Sequence, residues 1–158
     1  AVASAWAYNL GLKATPLSVV PYAGSFALLP AFVVLGLPGH PAPPWWLPVA
    51  GALLGSGAHF ANVLPDLDAD ARTGVRGLPQ RLGATGARAS AALLLAAGSV
   101  IAVLGPGRPR AWQVGALATV AGLTGLCLRL DDRHAFRAAM GVAAIDVALV
   151  IAAGTRPA

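Results

Sequence analysis

Three carboxylates, Asp66, Asp68 and Asp70, lie within five positions of one another. They are half of the six acids in the chain. Arg72, Arg76 and Arg81 follow, and an apolar run long enough to cross a bilayer comes directly before. Carboxylates gathered at a membrane edge call for a strong countercharge. Magnesium binds through one or two carboxylates and completes its shell with water and phosphate oxygens. The arginines add donors for an anion. The chemistry that fits is a divalent cation carrying an anionic ligand such as a diphosphate. The bland alternative is a solvated acidic turn neutralised by its arginines.

Geometry separates the three acids. If the preceding span continues as a helix, His59, Asn62, Asp66 and Asp70 fall on a stripe about 80° wide. Asp68 then points to the opposite face. Asn62, Asp66 and Asp70 address one site, and Asp68 faces water or an arginine. Pro65 lies inside this stretch and removes a backbone donor, so a bend is expected there.

The elements that must carry the stripe are membrane helices. The chain is 57% hydrophobic and 11% charged, against about 25% charge in soluble domains. It has a single lysine and no glutamate. Five segments reach the roughly 17–25 residues of a membrane span: 17–37, 45–64, 84–104, 111–128 and 135–153. Pro21 and Pro30 lie in the first, where both are expected to kink the helix. Trp45, Trp46 and Trp112 stand at span starts, at interface depth. The fold class is all-α: a polytopic transmembrane bundle in one integral-membrane domain, residues 1–158.

Alternating the loops puts Lys13, Arg72, Arg76, Arg81, Arg88, Arg129, Arg133 and Arg137 on one side, and Arg108, Arg110 and Arg156 on the other. The excess assigns the carboxylate loop to the cytoplasm. No basic stripe with interleaved aromatics appears, which argues against nucleic acid. Cys127 is alone in an apolar run and reads as a small core residue. His40 and His134 have no zinc-ligand spacing. Residues 131–134 read as the cap of a tight turn. Asp146 is the one acid inside a span, and intramembrane acids face a partner or a cavity.

The string from Asn62 to Gly83 resembles the second aspartate-rich motif of the UbiA family of membrane prenyltransferases. Asn62, Asp66, Asp70, Gly74, Arg76, Leu78, Pro79, Leu82 and Gly83 match its pattern in register. The stretch from Tyr8 to Lys13 is similar to the family's Tyr-to-Lys element, which lies one helix pair earlier. The resemblance covers essentially the whole chain, as helices five to nine plus the end of the fourth. It implies a helical bundle with a cavity open to the cytoplasmic side and to lipid. It implies transfer of an isoprenoid chain from its diphosphate to an aromatic or related acceptor, in quinone or lipid biosynthesis, with Mg2+. By the same resemblance Asp66 and Asp70 hold the metal and Asn62 supports them. Tyr8 and Lys13 contact the diphosphate, and Arg72 and Arg76 supply countercharge.

The family's first aspartate-rich motif does not occur in the 158 residues. The chain therefore reads as the C-terminal part of a longer prenyltransferase, with half a metal site and no activity by itself. Within the family, Asn62 resembles the dihydroxynaphthoate-using enzymes, whereas Tyr8, Lys13 and the Leu78-Pro79 pair lean toward 4-hydroxybenzoate-like branches. Two other classes stay open. A CDP-alcohol phosphotransferase shares an Asp-x-x-x-Asp ending but needs an Asp-Gly lead that is missing. A transporter would relay ions through Asp146, His59 and Asp66.

Overall fold

The computed structural model describes residues 2–154, so Arg156 of the loop count lies outside the described residues. Among the described residues seven α-helices follow in order: α1 Val2–Leu10, α2 Val20–Leu35, α3 Trp46–Val63, α4 Leu67–Thr73, α5 Leu78–Leu104, α6 Ala111–Arg129 and α7 Asp132–Gly154. Three 3-10 turns join them, at Leu12–Ala14, Pro16–Val19 and Leu64–Asp66. No strand occurs among the described residues.

Among the described residues, five helical stretches are long and apolar enough to cross a membrane: Pro16–Leu35, Trp46–Thr73, Leu78–Leu104, Ala111–Arg129 and Asp132–Ala153. The second joins α3 and α4 through the 3-10 turn at Leu64–Asp66. Pro65 is accommodated there: one tightened turn absorbs the missing donor, and the helix resumes at Leu67. The expectation for Pro21 fails. It occupies the first turn of α2 rather than the interior, where its missing N–H has no intrahelical acceptor to lose. Pro30 does lie inside α2.

Small residues set the packing. A Cβ on Gly51 would lie 2.3 Å from the Phe26 carbonyl oxygen, and one on Gly55 would lie 2.5 Å from the Phe26 ring. These two glycines, four apart, let α3 approach α2 at backbone distance. On its other side α3 meets α5, where Gly57 faces Leu95 and Gly98 faces Leu54. The main core gathers Phe60, Leu64, Ala87, Ala91, Leu95, Ala135 and Val142 from α3, its 3-10 extension, α5 and α7. Large side chains such as Leu28, Phe32, Leu93 and Ile151 point outward. That distribution suits lipid as the surrounding solvent.

The basic end of the bundle is tied together by polar contacts. Arg88 on α5 pairs with Asp132 at 3.4 Å and donates to the Leu130 carbonyl. Asp131 accepts from the Arg133 and His134 backbone N–H groups at 3.1 Å and caps α7. The His134 backbone N–H and imidazole hold its carboxyl below the usual carboxylate range. Asp146 is fully buried and accepts from Ser99 Oγ at 2.5 Å across the α5–α7 contact. Cys127 is buried and free.

Candidate functional site

The carboxylate stripe forms because α4 continues the course of α3. Gly74, at φ 77, ends α4 in a left-handed conformation that glycine adopts without strain. The chain then turns back and starts α5 at Leu78, with Pro79 in its first turn. At φ 68, Gly83 breaks α5 soon afterwards. The short first segment of α5 brings Gln80 to Asp70, and the long remainder runs through the bundle. The span start read at Ala84 coincides with this break.

A cavity of about 320 Å³ opens at this corner. Tyr8, Asn9, Lys13, Tyr22, His59, Asn62, Val63, Asp66, Asp70, Val75 and Gln80 line it. The structure thus brings together Tyr8, Lys13, Asn62, Asp66 and Asp70 from α1, the Leu12–Ala14 turn and the α3–α4 stretch. Asp68 is exposed and outside the lining, as the helical stripe requires. Arg72 and Arg76 are also exposed and outside it, so the structure gives them no place in the cavity wall. Asp146 is not part of the lining either, which separates it from His59 and Asp66.

The inner wall is aromatic. The His59 ring stacks on Tyr22 at 4.4 Å between centroids, and Tyr8 meets Tyr22 edge-on at 5.4 Å. The hydroxyl of Ser18, itself fully buried, fixes two elements at once. It lies 3.1 Å from His59 Nε2 and accepts the Leu78 N–H at 2.9 Å. That N–H is one of the unpaired donors at the start of α5. Gln80 Nε2 donates to Asp70 Oδ2 at 2.7 Å. A neighbouring cavity of about 340 Å³ between α1 and α2 shares Tyr8, Asn9 and Tyr22 with the first and also includes Ser4, Ser25 and Phe26.

Sequence reasoning missed Tyr22, Gln80 and Ser18. Gln80 follows Leu78-Pro79 directly, and the turn of Gly74 through Gly77 was the available signal that this segment folds back. Tyr22 and Ser18 lie some forty residues from Asn62 and carry no spacing signal. They meet the site only through helix packing.

The donors are of the oxygen type that magnesium takes. Asp66, Asp70 and the Asn62 amide supply oxygen, and magnesium keeps waters and takes substrate phosphate oxygens for the rest. No group of three or more acidic, His or Cys ligands gathers among the described residues. The model described as the UbiA prenyltransferase family matches residues 1–151. No curated protein and no solved structure matched the chain. With five membrane-length helices and a family match over nearly its whole length, the chain belongs to the UbiA prenyltransferase family.

Proposed function

We propose that the cavity at Asp66 and Asp70 is the diphosphate end of a magnesium-dependent site that transfers an isoprenoid chain to an aromatic or related acceptor. The observation that carries this reading is the convergence of Asn62, Asp66 and Asp70 with Tyr8 and Lys13 on one cavity. Membership of the family supports membrane prenyl transfer in general. The acceptor class and a role in quinone or lipid synthesis are the finer parts of the proposal.

Asp66 and Asp70 would hold magnesium, and Asn62 would support them. Magnesium, when bound, neutralises diphosphate charge and so favours its departure. Lys13 places an ammonium at the diphosphate oxygens, and the Tyr8 hydroxyl donates to them. The bond from the prenyl carbon to the diphosphate oxygen breaks, and its electron pair leaves with the diphosphate. An acceptor ring carbon forms the new carbon–carbon bond, and the ring then loses a proton. Tyr8, Tyr22 and His59 line the wall where positive charge develops on the allylic carbon, and their ring faces stabilise it and exclude water. The basic end of the bundle faces the cytoplasm, where diphosphate substrates are soluble.

The assay is magnesium-dependent diphosphate release from geranyl or farnesyl diphosphate with a panel of aromatic acceptors. The 158-residue chain by itself is expected to be silent, because its carboxylates reach the leaving group from one side. Co-expression with an upstream half carrying four spans and the first aspartate motif is expected to restore turnover. The co-expressed pair is the complemented enzyme. Metal-independent release by it overturns the proposal. Robust turnover by the chain alone overturns the one-sided site.

A further inference from the structure

We propose that Gln80 is a positioning residue for the cation site: it engages one oxygen of Asp70 and leaves the other for the cation. This inference rests on the magnesium–diphosphate reading above.

Gln80 Nε2 donates to Asp70 Oδ2 at 2.7 Å. An ionised carboxylate only accepts, so the amide must turn its nitrogen toward Asp70. Asp70 Oδ1 takes no hydrogen bond from the described residues. Asp70 is therefore held in one rotamer with one oxygen open. Restricting a carboxylate in this way orients a ligand before the metal arrives.

The other end of the amide is sealed off. Gln80 Oε1 is buried and lies against Gly77. Gln80 thus lines the cavity that Asp66 and Asp70 share with its amide nitrogen turned to Asp70.

The backbone that carries Gln80 is fixed independently of the cation. Ser18 accepts the Leu78 N–H at 2.9 Å. A Cβ on Gly77 would lie 2.6 Å from the Lys13 carbonyl oxygen, 2.8 Å from Gln80 Oε1 and 2.9 Å from Ser18 Oγ. Lys13, Ser18, Gly77 and Gln80 thus pack as one joint, and the start of α5 cannot shift without disturbing it.

The test uses the purified chain in detergent and reads free Mn2+ by electron paramagnetic resonance in the presence of inorganic pyrophosphate. Gln80→Met keeps side-chain length and removes the amide. Gln80→Asn keeps the amide and shortens its reach. Both are expected to weaken Mn2+ binding by about tenfold, the low end of what outer-shell partners contribute, with the thermal midpoint unchanged. Unchanged affinity in both, beside a loss in Asp70→Asn, overturns the positioning role and leaves the metal reading standing. A lower midpoint with unchanged affinity of the folded fraction overturns it as well. If Asp70→Asn binds Mn2+ as the parent chain does, the metal reading itself fails.

Discussion

The His59 imidazole stacks on the Tyr22 ring, with centroids 4.4 Å apart and planes 27° apart. His59 is almost fully buried, and Ser18 Oγ at its Nε2 fixes the ring plane. Tyr22 is thereby locked on the face that lines the cavity. If ring faces stabilise positive charge there, Tyr22→Leu lowers turnover of the complemented enzyme by about tenfold, within the roughly 0.5–2 kcal/mol of a cation–π contact. Tyr22→Phe keeps the face and most of the turnover. Equal losses in the two variants, measured as kcat with saturating geranyl diphosphate, would sink the ring-face role.

Asp66 and Asp70 line the cavity and Asp68 does not. Asp66→Asn and Asp70→Asn are each expected to cut kcat/KM of the complemented enzyme by about a hundredfold or more, since a bound metal contributes several kcal/mol to such a transition state. Asp68→Asn is expected to stay within about threefold, as an exposed change away from the site. A loss at Asp68 as deep as that at Asp70 means that the segment wraps the ligand differently.

Gly77 has ordinary backbone angles, φ −67 and ψ −179, so conformation alone does not require glycine there. Space does. The Cβ of Gly77→Ala would meet Lys13 O, Gln80 Oε1 and Ser18 Oγ, all within 2.9 Å. Overpacking of this kind costs about 1–3 kcal/mol. The variant is expected to unfold at lower temperature in detergent and to bind Mn2+ with pyrophosphate more weakly. Parent-like values in both measurements would show that the joint has slack.

Sidedness is testable with one cysteine. Cys127 is 1% exposed, which keeps the background low. A cysteine at exposed Asp68 is expected to resist a membrane-impermeant maleimide in intact cells and to react after permeabilisation. Labelling from outside reverses the topology and removes the cytoplasmic supply of diphosphate from the proposal.

Much of this protein was legible in the chain. The apolar runs fixed the number of spans, because a bilayer leaves few ways to satisfy a backbone other than helices. Helical spacing alone put Asn62, Asp66 and Asp70 on one face and Asp68 on the other. The Leu64–Asp66 turn absorbs Pro65 without spoiling that register.

Tertiary structure decided what faces the stripe. Tyr22, Ser18 and Gln80 reach the site through close α2–α3 contact at Gly51 and Gly55 and through the fold-back between Gly74 and Gly83. It also removed Arg72 and Arg76 from the cavity wall, although they share a segment with the carboxylates. Local periodicity specifies the direction of a side chain on its own helix. It carries no information on which helix will pack opposite, because that follows from summed contacts over whole helix faces.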